Sequence, residues 1–338
     1  MSYIISEDGK ELLKDVRDFC VNEVKEQVKE YDISGEWPKE IYDKAIEMQL
    51  HMMDVPEEYG GLDHIDQAAI VEQIAWADAG VAVTLNGNGL ALKPVLLAGN
   101  EEQKQKCCDI IINGGFGSFA LTEPNAGCDA GAGKTTAVRE GDEYVLNGRK
   151  CFITNASVAD FFVVTAMTAK DQGTKGISAF LVYKGTPGLS IGNHENKMGI
   201  RCSTSDVILE DVRIPAENRL GEEGTGFITA MKTLDLARTW CAVIGVGVAQ
   251  RCIDEAGAYS KQRVQFGKPI CKNQAIQFKI ADMEIRTEAS RQLIAHSIRL
   301  ADMGLPFSKE SAAAKCFTGD SVMQTAIDAV QILGGYGY

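Results

Sequence analysis

The sequence has 338 residues, 45% of them hydrophobic and 24% charged, which excludes a mostly disordered chain. It is also longer than the roughly 250–300 residues at which a single core stops growing, so two or three packed substructures are expected. A net charge of −13 with no basic run argues against a nucleic-acid partner, and no secretory leader or run of roughly 18 apolar residues is visible. The expected setting is cytoplasmic, without membrane insertion.

From Glu7 to about Asn113 the apolar residues recur at three and four: Leu12, Leu13, Val16, Phe19, Cys20 and Val24, then Ile41, Ala45 and Met48, then Ala68, Ile70, Val71 and Ile74. This period predicts helices. Pro38 suits a helix start, Pro56 with Tyr59-Gly60-Gly61 a loop, and Asn100 an N-cap. Residues 1–113 therefore read as an N-terminal helical domain.

Between residues 114 and 215 the pattern changes to short β-branched or aromatic runs, at Ser118–Thr122, Glu143–Asn147, Cys151–Thr154, Phe161–Ala166, Ile177–Tyr183 and Val207–Leu209. Glu140-Gly141-Asp142, Asn147-Gly148 and Pro187-Gly188 are turn signals between them, which predicts a middle β-domain of sandwich or barrel type. From 216 to 338 the helical period returns, with a glycine- and alanine-rich helix to Tyr259 and two more over roughly Asn273–Met303 and Ser308–Leu333. Helices, strands, helices make an α+β chain rather than an alternating one. The three C-terminal helices leave an apolar face that a fourth would cover, so the bundle reads as incomplete and the sequence as lacking its last helices.

Several chemical signals fail on inspection. The ten cysteines, at 20, 107, 108, 128, 151, 202, 241, 252, 271 and 316, show no CxxC or Cys/His spacing, and His51, His64, His194 and His296 never pair at i,i+4. Free thiols and no metal site are expected. Gly131-Ala132-Gly133-Lys134-Thr135 imitates the end of a phosphate loop, but Cys128 stands where the first glycine belongs. Gly245 and Gly247 imitate a dinucleotide fingerprint, yet they lie within a helical run and are better explained by close helix packing.

The informative segments are Phe119–Asp129, a strand running into a rigid Pro/Gly turn, and Cys151–Asn155, a strand with Phe152 and Thr154 at alternate positions. Alternation puts both side chains on one face, where a flat ring and a hydroxyl donor suit a tricyclic heteroaromatic. Together with Lys197–Thr204, Glu210–Gly221, Leu234–Arg238, Tyr259–Ile270, Asn273-Gln274, Ala281–Met283 and Ala329–Gly335, these segments resemble the acyl-CoA dehydrogenases along the whole chain, with wording closest to the short-chain, butyryl-CoA type.

The resemblance implies FAD as cofactor. By position, Phe119, Leu121, Thr122, Phe152 and Thr154 would cradle the flavin ring, and Arg263, Phe266, Asn273, Gln274, Gln331 and Gly335 would hold the rest of FAD, partly across a subunit interface of a homotetramer. Cys128, Asp235 and Arg238 fall where the family contacts the CoA thioester; Cys128 replaces the usual serine, and Asp235 and Arg238 could instead pair with each other at i,i+3. Trp240 is read as a core residue rather than a shaper of the acyl pocket.

The implied reaction is α,β-dehydrogenation of a short- to medium-chain acyl-CoA to the trans-2-enoyl-CoA, with electrons passed to electron-transferring flavoprotein. It needs a carboxylate to take the α proton. The family carries that base either beyond the Gln331–Gly335 motif or directly before the arginine of the Leu234–Arg238 motif, where this chain has Ala237, so no catalytic residue is named. The chain as it stands is expected to bind FAD poorly and to turn over very slowly or not at all, and its full-length parent to be active. Two other readings are an enoyl-CoA reductase running the reverse reaction and a non-catalytic assembly partner.

Overall fold

The computed structural model describes residues 3–197 and 202–338; Met198–Arg201, within the Lys197–Thr204 motif, lie outside the described residues. Helices α1 (Glu7–Phe19), α2 (Lys25–Ser34), α3 (Lys39–Glu47), α4 (His64–Ala77), α5 (Ala79–Ala98) and α6 (Glu101–Ile112) come first. Strands β1 (Gly117–Ala120), β2 (Thr136–Glu140), β3 (Glu143–Thr154), β4 (Phe161–Met167), β5 (Ile177–Tyr183), β6 (Leu189–His194), β7 (Thr204–Pro215) and β8 (Arg219–Leu220) follow. Helix α7 (Gly226–Gln262), a two-residue-stranded hairpin of β9 (Val264–Gln265) and β10 (Lys268–Pro269), α8 (Gln274–Asp302) and α9 (Ser308–Leu333) complete the chain. This is the α+β order that the sequence pattern implies.

By contact the chain packs as two compact units that interleave along the sequence. One comprises residues 1–29, 63–82 and 235–338, and the other residues 30–62 and 83–234. In the second unit the sheet order is β6-β7-β3-β2-β4-β5-β8, with β1 beside β4. Both faces of β4 are covered, which is why it reads as an unbroken apolar run. Phe162 and Val164 point into a core shared with Tyr144, Leu146, Phe180, Leu209 and Val212, so the sheet curls around them. Phe161 and Val163 point the other way, against Val95, Cys107 and Ile111 of α5 and α6. Helix α6 begins at the expected Asn100, whose side chain accepts from Gln103 N while Gln103 answers in a full capping box.

Three expectations need correction. The runs at Glu143–Asn147 and Cys151–Thr154 are one strand, β3, and Asn147-Gly148 is not a turn but a register shift against β7, with Asn147 hydrogen-bonded to Asp211. Strands β2 and β6 were not legible, because each keeps much of its length exposed and so lacks the apolar run that marks β4 and β5. Helix α5 is, by length and composition, apolar enough to cross a membrane, contrary to the expectation of no such stretch, but 56% of the relevant window is buried inside the protein.

In the first unit α8 and α9 pack against each other and against α7 through Ile253, Ala256, Met283, Ala329 and Ile332. Gly247 acts here through its size: a Cβ on it would stand 2.4 Å from the Glu72 carbonyl oxygen of α4, so the helices can approach only because it has none. Close by in sequence terms on α4, Glu72 forms a buried ion pair with Arg291 of α8 at 2.7 Å. Asp328 of α9 accepts from Lys279 at 2.9 Å and Arg286 at 2.6 Å, pinning α9 to α8.

Candidate active site

The two segments singled out in the sequence lie side by side in the sheet unit. Cys151 N donates to Thr122 O at 2.9 Å, Ser118 Oγ donates to Thr154 O at 2.7 Å, and Lys150 Nζ donates to Leu121 O at 3.0 Å. The backbone of Leu121 and Thr122 is thereby brought beside that of β3 next to Phe152, whereas Phe119 is buried in the core against α5 and α6. Strand β1 stops at Ala120, so Leu121 and Thr122 belong to the turn rather than to the strand. Beyond them Glu123 and Ala126 exchange backbone hydrogen bonds of 3.1 and 3.0 Å across Pro124-Asn125.

Phe152 and Thr154 are both accessible, but not through simple alternation. Between the pairs Lys150–Val207 and Ile153–Ser205, two residues of β3, Cys151 and Phe152, face one of β7, Asp206, a β-bulge. Phe152 takes a left-handed backbone, φ +58°, and its ring is 63% exposed. A bulky residue in that region is strained, and such strain clusters at functional positions. Thr154 faces α5 at Gly87, where a Cβ would stand 2.6 Å from Asn155 Nδ2 and 3.6 Å from Thr154 Cγ2. An exposed ring, a hydroxyl beside it and a backbone opening that a methyl would close fit a flat heteroaromatic with a hydrogen-bonding edge.

Beneath this platform lies a feature the sequence did not disclose. Lys150 is 1% and Glu123 7% exposed, and they pair at 2.7 Å. Lys150 Nζ also donates to Thr165 Oγ1 at 3.2 Å, while the Glu123 carboxylate accepts from Lys134 N at 2.6 Å and Thr135 N at 3.1 Å. Burial acts to raise the Glu123 carboxyl, but the Lys150 charge and the amide donors outweigh it and hold it below its ordinary value. Burial pulls Lys150 downward, opposed by Glu123. The false phosphate loop is thus explained: the amides of Lys134 and Thr135 do bind an anion, the chain's own carboxylate. A charged residue inside an apolar strand was the available signal, but nothing in periodicity pairs residues 123 and 150.

The other named positions belong to the helical unit, except Cys128, which is an exposed free thiol in the loop after the Pro124-Asn125 turn. Phe266 and Gly267 form the tip of the β9–β10 hairpin with φ +50° and +77°, the two left-handed residues of a type I′ turn. The Phe266 ring is completely exposed. Arg263 and Gly335 line one cavity of about 340 Å³ together with Tyr259, Gln265, Ile270 and Tyr336. The Arg263 guanidinium stands 5.9 Å from the Tyr336 ring centre. Gln331 lies on the last turn of α9 before Gly335, and Asn273 and Gln274 open α8; none of these three lines that cavity. Asp235 and Arg238 of α7 do pair with each other, and Ser308 donates to Asp235 at 2.9 Å. Ala237, between them, offers only a methyl group. Trp240 is 4% exposed, a core residue.

Helices, a curled mixed sheet and helices again are the element order of a family of oxidoreductases. The acyl-CoA dehydrogenase N-terminal, middle and C-terminal domain families match residues 6–115, 118–212 and 224–338. The short-chain-specific acyl-CoA dehydrogenase of Megasphaera elsdenii is 42% identical, over 100% of this chain and 91% of its own length. The CarC subunit of the caffeyl-CoA reductase–Etf complex of Acetobacterium woodii is 45% identical, over 98% and 89%. The structure of butyryl-CoA dehydrogenase from Megasphaera elsdenii superimposes with a TM-score of 0.96 at 41% identity, covering 100% of this chain and 91% of that one. The chain belongs to the acyl-CoA dehydrogenase family, whose members are FAD-dependent oxidoreductases.

Proposed function

We propose that this protein binds FAD and catalyses α,β-dehydrogenation of a short- to medium-chain acyl-CoA, passing the electrons to an electron-transferring flavoprotein. The observation that carries the reading is the strained, exposed Phe152 beside Thr154. Bound there, FAD supplies a two-electron acceptor. Phe152 would pack on the ring and help exclude water, Thr154 would donate its hydroxyl to the ring edge, and Leu121 and Thr122 would complete the hold on the ring. In the helical unit, partly that of a neighbouring copy of the chain, Arg263 would offer a bidentate fork for the pyrophosphate, and Phe266, Asn273, Gln274, Gln331 and Gly335 would hold the rest of FAD. Arg238 and Cys128 are assigned to the CoA arm, with Asp235 setting the Arg238 fork.

We also propose a homotetramer. Phe278 and Ile285 on α8, and Met323, Ile327 and Val330 on α9, are exposed at helical spacing. These stripes suit burial against other copies of the chain.

The relationship to the caffeyl-CoA reductase subunit favours a second reading, in which the same residues reduce an enoyl-CoA with electrons from reduced electron-transferring flavoprotein. The test is to purify the protein from its complete reading frame, record its visible spectrum and add butyryl-CoA without oxygen. A yellow protein that bleaches supports dehydrogenation. A yellow protein that is unmoved by butyryl-CoA, but is reoxidised from its reduced form by an aryl- or alkyl-enoyl-CoA, supports the reductase. A colourless protein that takes up no added FAD overturns both.

A further inference from the structure

The Glu123–Lys150 pair is a poor device for stability alone, because two desolvated charges are often outdone by apolar side chains of similar volume. What it does supply is position. The ammonium group has three N–H donors and spends each on a different oxygen: Leu121 O at 3.0 Å, Glu123 Oε1 at 2.7 Å and Thr165 Oγ1 at 3.2 Å. The carboxylate in turn takes the amides of Lys134 and Thr135. Four segments, the Leu121–Glu123 turn, residues 134–135, β3 and β4, are held by one buried network. Lys150 is also the last residue before the bulge, so the same side chain sets where Phe152 leaves the strand.

We propose that Glu123 and Lys150 are positioning residues, a buried ion pair that fixes Leu121, Thr122 and the Phe152 bulge at the edge of the flavin ring. The inference rests on the flavin-binding reading of this platform. Neither residue touches the ring site directly: both act through the backbone of residues that do. An apolar pair could fill the same volume, but it could not hold the Leu121 carbonyl or the two amides in place.

The test uses Glu123→Gln, which keeps the side-chain shape and removes the charge, and Lys150→Met, which keeps its length. Backbone amide exchange is followed first, without added cofactor. The expected result is at least tenfold faster exchange of Glu123, Lys134, Thr135 and Cys151, with the Phe180–Val182 amides of β5, which lies outside the network, unchanged. FAD is then titrated into each apoprotein. The expected result is at least a tenfold rise in Kd and a shift of the bound flavin's visible band, relative to the parent. Exchange that does not change overturns the proposal. So does faster exchange with the flavin affinity and spectrum unmoved, which makes the pair purely structural. If the parent protein takes up no FAD while exchange still responds, the flavin reading fails and the positioning role falls with it. Should Lys150→Met not fold, Glu123→Gln carries the test.

Discussion

The sheet unit and the helical unit present their candidate site residues in opposite ways. At the ends of β1 and β3 the backbone is held by Cys151 N on Thr122 O, Ser118 Oγ on Thr154 O and the Lys150 ammonium on Leu121 O, and beneath it sits a buried ion pair. In the helical unit Arg263, Phe266, Gln274, Gln331 and Gly335 are all exposed, and Phe266 stands at a hairpin tip. The first arrangement is preorganised by its own fold and the second is displayed. A ring-binding platform needs fixed geometry before its ligand arrives, whereas a displayed surface acquires its geometry from what docks on it.

The strongest way to test the contrast is to remove the helical unit's own buried charge. Glu72→Ala takes the nearest carboxylate from Arg291, 5% exposed at its side chain, leaving Gln250 at 2.7 Å and Glu288 at 3.5 Å, and is expected to cost about 3 kcal/mol in denaturant unfolding. Amide exchange at Leu121–Glu123 should stay at the parent rate under native conditions. Acceleration there would show that the platform depends on the helices and is not preorganised by the sheet. The converse change is Gly87→Val, whose Cβ meets Asn155 Nδ2 at 2.6 Å. Overpacking of this kind costs about 1–3 kcal/mol, and here it should also displace Thr154 and weaken FAD binding, read by flavin fluorescence titration.

Elements with one unambiguous local signal were legible in the sequence. Asn100 announced α6, the unbroken run at Phe161–Ala166 announced β4, and the period from Ser308 announced α9. Signals that depend on partners were not. Asn147-Gly148 has the composition of a turn, yet its conformation is decided by Asp211, 64 residues away. The exposure of Phe152 was anticipated for the wrong reason: alternation would also have turned Lys150 outward, and the bulge instead buries it. Glu123 and Lys150 were invisible as a pair because the hydrogen bonds that stabilise their charges come from four separate segments. The motif resemblance pointed to these residues, and the structure shows the hydrogen bonds that hold their backbone.

A smaller effect separates the units in acid. Burial raises the Asp328 carboxyl, but Lys279 and Arg286 outweigh it, and its value lies below that of an ordinary aspartate. A carboxyl depressed on folding contributes stability above its unfolded value of about 4, and that contribution is lost as pH falls through the lower folded value. Glu123 follows the same sign in the sheet unit. Because Lys279 is 37% exposed, Asp328→Asn is expected to remove only about 1 kcal/mol at neutral pH. It should also flatten the loss of stability in acid, measured as Tm against pH from 6 down to about 2. An unchanged acid slope in Asp328→Asn would assign that slope to Glu123 and the remaining carboxylates.

The finest discrimination comes from the two strained phenylalanines. Phe152 and Phe266 both adopt positive φ, both expose their rings, and both were named from the sequence as cofactor contacts. Phe266→Asn would place Asn-Gly at the tip of the β9–β10 hairpin, the pair best suited to a type I′ turn, and should stabilise the protein by about 0.5–1 kcal/mol. A completely exposed ring contributes little folding energy, so its removal should not offset that gain. If the displayed surface exists for its ligand, the same variant binds FAD more weakly and dissociates more readily into smaller assemblies, measured by flavin titration and light scattering. A gain in stability with neither loss would mean that Phe266 is an ordinary exposed residue. The contrast between a preorganised sheet and a displayed helical surface would then rest on Arg263 and the glycine turn at Gly334-Gly335.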